Sequence, residues 1–160
     1  MIILKFPHQA LLTKCEPVTV FDDDLAFTLD QMWAVMINSN GIGLSANQVG
    51  ILKRFFVMAA EDGSRLNIVN PNVVFESTIE QTLSEGCLSA PGDFVEITRP
   101  KLIALEYQDE NGLPQKRVFV DLSAVCAQHE IDHLDGKSFL KHQSIPILKK
   151  NKLVKRWGLK

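Results

Sequence analysis

The sequence predicts an α+β fold, with mainly antiparallel β-sheet packed on helices, and three observations carry that prediction. Short segments rich in β-branched and aromatic residues follow one another between positions 54 and 120 with no helical crossover among them. A segment of helical period precedes this block and another follows it. Apolar residues make up 46% and charged residues 22% of the 160, values that exclude a disordered, collagen-like or coiled-coil chain.

The first helix starts in FDDDLAFTLDQMWAVMINSNG, from Phe21. The acidic cluster Asp22 to Asp24 supplies a cap, Leu25, Leu29, Met32, Trp33 and Met36 recur at helical spacing, and Asn40-Gly41 is a stop signal. Met32 and Trp33 are expected to face the core. Strands are expected at 54–59, 66–70, 101–107 and 116–120, the last two flanking Asp109 to Gly112 as a hairpin. The second helix should be capped by Asp121 or Ser123 and end just before Gly136. No repeat or long Gly/Ser/Pro linker interrupts the chain. A single domain over residues 1–160 is therefore expected, with a basic tail at about 142–160.

The net charge is −2, unevenly spread. No acidic residue follows Asp135, so residues 136–160 carry +8 and the preceding body −10. Such a tail suits a polyanion such as RNA, or serves only as a solvated face. No apolar run exceeds six residues, the length of Phe55 to Ala60, so no segment is expected to span a bilayer. The N-terminal apolar stretch is too short for a secretory signal, which makes the expected compartment the cytoplasm. Cys15, Cys87 and Cys126 are odd in number and irregularly spaced, which argues against a disulfide framework.

In the second helix Leu122, Val125, Cys126, His129 and His133 fall at i, i+3, i+4, i+7 and i+11, one stripe that the fold should bury. Imidazoles at i and i+4 can share an ion, and a carboxylate beside them, Glu130, can take a proton from a bound water. His-Glu-x-x-His is short enough to arise by chance, and core histidines bonded to backbone or water are the plainer alternative. A third ligand is needed. The longer peptidase pattern HExxHxxGxxH is followed only as far as Gly136, and Phe139 stands where its third histidine would be. No Glu follows His133 and His142 has the wrong spacing, so the third ligand should lie upstream. Cys87, within SEGCLSAPG, is the best candidate, although a buried structural thiol is the commoner role for a single cysteine. GIGLSANQVG at 41–50 follows a helix rather than a strand and is not expected to be a phosphate loop; Gly41 and Gly43 are expected instead to let the backbone approach an extended substrate.

GIGLSANQ (41–48), EGCLS (85–89) and QHEIDHLDG (128–136) resemble, in order and spacing, the three signature motifs of the peptide deformylases. PHQALLTKCEPV near the start and ITRP after the second motif are also similar to that family. The resemblance implies antiparallel sheets packed around a central helix bearing the His-Glu-x-x-His motif. It makes Cys87, His129 and His133 the ligands of one divalent ion, commonly Fe2+, with Zn2+, Ni2+ or Co2+ able to substitute. Glu130 becomes the general base and then acid, and the Gln48 amide and the Leu88 backbone N–H become the oxyanion donors. Ile42, Leu83, Leu122, Val125 and Cys126 would line a methionine pocket, and the backbones of Gly43 and Gly86 would pair with the extended substrate.

The implied activity is removal of the formyl group from the N-terminal formyl-methionine of nascent polypeptides, releasing formate. The implied partners are those peptides and, through the basic tail, the ribosome, with no membrane and no specific DNA. Glu85, Arg99 and Asp132 could orient a histidine or pair with one another, or form an ordinary surface salt bridge. Ser45 departs from the Ala usual in the first motif, and the short tail offers Leu148, Leu153, Val154 and Trp157 for a final amphipathic helix. The rival readings are a His-Glu-x-x-His metallopeptidase and an inactive metal-binding module; intact Glu130 and Gln48 count against the second.

Overall fold

In the computed structural model, which describes residues 1–138 with Lys152, Lys155 and Arg156, helix α1 (Asp23–Asn38) opens where the acidic cluster was expected to cap it. The Asp22 carboxylate accepts from the Leu25 N–H at 3.0 Å, and Asn40 turns the chain out of the helix with φ 55°. Four strands then match the expected ones: β2 (Phe55–Ala59), β3 (Arg65–Glu76), β6 (Leu102–Gln108) and β7 (Pro114–Val120). Three further strands do not: β1 (Gly43–Ser45), β4 (Glu80–Cys87) and β5 (Ala90–Pro100).

All strand pairs are antiparallel. One sheet has the order β1-β2-β3-β6-β7, and β4 and β5 form a separate hairpin. β3 outruns its expected end at Asn70 by absorbing Pro71 in a bulge. There the Asn70 side chain, at φ 51°, exchanges two 2.8 Å hydrogen bonds with the Val18 backbone. β1, read from the sequence as glycine-rich loop, pairs Gly43 with Met58 and Ser45 with Phe56.

The period-two alternation of β2 divides the core. Phe55 and Val57 pack with Leu25, Leu29, Met32 and Met36 of α1. Phe56 and Met58 pack on the other face with Ala124, Ala127, Ile131 and Leu134 of helix α2 (Asp121–Leu134). Met32 is fully buried and Trp33 partly so, as expected of core-facing residues. α2 is wedged between this sheet and the β4–β5 hairpin, and nearly every residue from Ser123 to Leu134 is buried. Its start corrects the expected cap: Val120 takes that position, and the Ser123 hydroxyl accepts the Val120 N–H at 3.1 Å. Asp121 is instead the first helical residue, at φ 50°.

The last carbonyls of α2 are bonded from neighbouring segments, Leu134 O by the Cys15 N–H at 2.8 Å and His133 O by the Asn47 amide at 2.5 Å. Cys15 is core, and burial pushes its thiol up to about 11. Among the described residues no helix is long and apolar enough to cross a membrane. The tail helix expected around Leu148 to Trp157, and Phe139 and His142, lie outside the described residues.

Gly136 closes α2 at φ +67°, where an added Cβ would lie 2.8 Å from Leu12 O. Gly63 has a similar φ of +78° but open space around it. Gly136→Ala should therefore cost about 2–4 kcal/mol in urea unfolding and Gly63→Ala only about 1 kcal/mol. Equal losses would show that the close approach to Leu12 contributes nothing.

Candidate metal centre and cavity

Three elements meet at one end of α2. The helix presents His129, Glu130 and His133; β4 delivers Cys87 as it turns through Leu88 and Ser89 into β5; and a 3₁₀ turn after β1, Ala46–Val49, places Gln48. The ligand atoms of Cys87, His129 and His133 all lie within 4.8 Å of one another. Cys87 Sγ is 3.2 Å from His133 Nε2, and the two imidazole rings stand 4.9 Å apart at 76°. A tetrahedral ion with bonds of about 2.0–2.3 Å separates its donors by about 3.5 Å, so one thiolate and two imidazoles fit a divalent transition metal here.

The electrostatics suit a cation. Burial opposes a charge on His129, but the hydrogen bonds of Cys87 and Glu85, with the charges of Cys87 and Glu130, push its pKa well above the ordinary histidine value. Anions that hold a proton on that ring can equally hold a metal ion in the proton's place. His133 is driven the other way, by burial and then by the charges of His129 and Arg99, which favours the neutral, ligating imidazole. Burial pushes the Glu130 carboxyl up to about 7 against the pull of His129 and of the Ser45 hydroxyl and amide. That places it near the value at which a carboxyl both accepts and returns a proton.

A cavity of about 680 Å³ opens onto these groups and is lined by Gln48, Cys87, Leu88, His129 and Glu130. His133 is buried beneath, 1% exposed, with the Phe6 ring stacked 6.3 Å away. Ile42, Leu83, Val125 and Cys126 contribute apolar wall, and Gly43 and Gly86 contribute backbone. Leu122 corrects the expectation of a buried stripe: it lies on the cavity rim, 57% exposed, because its side chain faces the open cavity. Gly43 leaves room for the Glu130 and Cys126 side chains, since an added Cβ would stand 2.5 Å from Glu130 Oε1 and 2.7 Å from Cys126 Sγ and displace them.

Glu85, Arg99 and Asp132 form no surface salt bridge. Arg99 Nε and Nη2 grip the Glu85 carboxylate at 2.6 and 3.0 Å, Nη1 reaches Asp132 at 2.8 Å, and the other side of Glu85 meets His129 Nδ1 at 2.9 Å. Arg99 and Glu85 are 4% and 6% exposed. Burial pushes the Glu85 carboxyl up, but the bonds from His129 and Arg99 and the Arg99 charge outweigh it and leave the pKa below the ordinary value. Sequence reasoning missed several supporting contacts: the Gln48 amide donates to Ser89 Oγ at 3.1 Å, and the Ser45 hydroxyl contacts the Gln48 and Asn47 side-chain oxygens. Ser45, Asn47 and Ser89 stood inside two of the quoted motifs, but nothing in spacing or periodicity assigns them partners.

Comparison with known proteins points to one family. The family profile described as polypeptide deformylase matches residues 1–150. A peptide deformylase-like protein of Agrobacterium fabrum is 38% identical over 155 residues, 97% of this chain and 93% of that protein. Peptide deformylase 2 of Xanthomonas axonopodis pv. citri is 42% identical over 147 residues, 89% of this chain and 86% of the relative. Among solved structures, a peptide deformylase from Synechococcus elongatus in complex with actinonin superposes with a TM-score of 0.90 at 34% identity, covering 99% of this chain and 86% of the other. That from Thermotoga maritima gives 0.87 at 36% identity, covering 89% and 97%.

Glu85→Gln keeps the shape beside His129 and removes the charge. It should weaken Zn2+ affinity about 10- to 100-fold in chelator competition, the usual cost of losing a carboxylate behind a ligating histidine. An unchanged affinity would show that Glu85 serves only Arg99.

Proposed function

This chain belongs to the polypeptide deformylase family, and on that premise we propose how its own residues remove the formyl group from N-formylmethionyl peptides. It is a deformylase, a hydrolase that splits the formyl amide to formate and a free amine; the metallopeptidase and inactive-module readings are not favoured. The observation that carries the residue assignment is the convergence of the Cys87, His129 and His133 donor atoms within 4.8 Å at a cavity also lined by Glu130 and Gln48.

Cys87, His129 and His133 hold one divalent ion, Fe2+ in the native enzyme, with Zn2+, Ni2+ or Co2+ as substitutes, since this donor set suits each of them. When bound, the ion supplies Lewis acidity, which lowers the pKa of a coordinated water and polarises the substrate carbonyl. Glu130 takes a proton from the attacking water as the water oxygen bonds to the formyl carbon. Gln48, through Nε2, and Leu88, through its backbone N–H, donate to the carbonyl oxygen as negative charge builds there. The C–N bond then breaks, Glu130 gives its proton to the departing amine, and formate remains. Its pKa of about 7 suits both transfers at neutral pH.

The methionine side chain occupies the apolar wall of Ile42, Leu83, Leu122, Val125 and Cys126. The peptide beyond it runs extended along the backbones of Gly43 and Gly86, as an added strand. The chain acts as one catalytic domain, residues 1–160, in the cytoplasm. Its basic tail, about 142–160, contacts the ribosome, because a charge of +8 over residues 136–160 suits a polyanionic partner.

Formate release from formyl-Met-Ala-Ser by anaerobically purified protein tests the reading. Glu130→Ala should retain its metal and lose activity, and Gln48→Ala should lower kcat about 10²- to 10³-fold. A metal-loaded parent protein that releases no formate would sink the function. A fully active Gln48→Ala would sink the assignment of the oxyanion donor.

A further inference from the structure

Among the described residues that line the cavity, the titratable charged groups are Lys5, Glu85, Asp93, His129 and Glu130. The last four are buried: Arg99 grips Glu85, Asp93 accepts from Arg156, and His129 and Glu130 belong to the reacting floor. Lys5 alone of the five is exposed. The exposed polar side chains that share the lining with it, Ser39, Asn40 and Ser84, carry no charge to offset it. A surface lysine ordinarily sweeps a wide volume, but this one is held at both ends. Its backbone belongs to a segment laced between the two turns that carry Gln48 and Leu88: the Leu4 N–H donates to Gln48 O at 2.8 Å and the Phe6 N–H to Ser89 O at 3.0 Å. Its ammonium donates to Leu88 O at 2.5 Å. An ammonium has three N–H donors, so this bond fixes the charge and leaves two donors for another acceptor.

We propose that Lys5 is a specificity-determining residue: its tethered ammonium favours an acidic side chain directly after the formyl-methionine and disfavours a basic one. This rests on the reading of the cavity as the site of an N-formylmethionyl peptide. An extended chain points successive side chains to opposite faces. With the methionine against the buried wall of Val125 and Cys126, the next side chain points away from α2 and out through the mouth, where Lys5 stands exposed. The ionic contact is the same before and during the reaction, so it acts on KM and leaves kcat unchanged.

The test compares formyl-Met-Asp-Ser, formyl-Met-Ala-Ser and formyl-Met-Lys-Ser, each amidated at its C-terminus so that no terminal carboxylate adds its own charge. At low salt the metal-loaded parent should prefer the Asp over the Lys peptide about fivefold in kcat/KM, the scale of one solvent-exposed ion pair, with the difference carried by KM. In 1 M salt, where the Debye length is about 3 Å, the preference should fall below twofold. Lys5→Gln, which removes the charge but can still donate to Leu88 O, should bring the three peptides within twofold of one another, and Lys5→Glu should reverse their order. The proposal is overturned if the preference survives in both variants. It is also overturned if Lys5→Gln slows all three peptides by one factor and leaves their ratios unchanged, the signature of a residue that serves only the Leu88 turn. A parent that cleaves formyl-Met-Ala-Ser without any charge preference overturns this inference alone, whereas a metal-loaded parent that releases formate from none of the peptides overturns the function on which it rests.

Discussion

The constraint on which the structure depends is that α2, a helix carrying His, Gln, Glu and Asp side chains, is buried along nearly its whole length. A polar group removed from water costs free energy unless it is bonded, so the elements around the helix are arranged to satisfy it. Gln128 donates to Pro100 O at 3.0 Å on the hairpin side. Asp132 and His129 both reach the Arg99–Glu85 pair, and Asn47 and Cys15 take the terminal carbonyls. The hairpin is thus a polar counterpart to the apolar sheet on the opposite side of α2. Two buried side-chain atoms among the described residues lack a partner, Glu130 Oε2 and His133 Nδ1, and both belong to the motif that carries the chemistry.

That arrangement also explains the balance of charge. Cys87, Glu85 and Glu130 gather negative potential around His129, and Arg99 offsets part of it from behind Glu85. Such a pair is weak evidence of net stability, since desolvation offsets much of the attraction. Its value here is geometric. A bidentate Arg99 fixes the Glu85 carboxylate, the carboxylate fixes the His129 ring, and the ring then presents its other nitrogen toward Cys87 and His133. The same logic recurs across the cavity, where Ser45 and Ser89 hold the two ends of the Gln48 amide.

The sequence by itself determined the two helices, the four strongly apolar strands and the reactive set. These announce themselves through local patterns: a capped 3.6-residue period, β-branched runs, and histidines one turn apart with a glutamate beside them. The residues proposed to hold the methionine side chain came from the helical stripe and the family resemblance, and all five line the cavity. The β4–β5 hairpin was not legible as a hairpin. The inward face of β5 is Asp93, Val95, Ile97 and Arg99, and two charged residues in four hide the alternation by which a strand is recognised. Arg99 is buried because its partners Glu85 and Asp132 come from β4 and α2, and buried Asp93 accepts from Arg156.

Tertiary structure alone decided the rest. Leu122 shares a stripe with His129, yet it faces the open cavity and stays exposed at its rim. Glu85, Arg99 and Asp132 carry no local signal that separates a buried network from a surface ion pair, because burial is set by what packs over them. Ser45 becomes a neighbour of Gln48 and Asn47 only when β1 pairs with β2 and the chain turns tightly after it. Periodicity and motif record which side chains a local element presents. Which polar groups lose their water, and which partner replaces it, depends on contacts between residues as far apart as Glu85 and His129, and only folding brings those together.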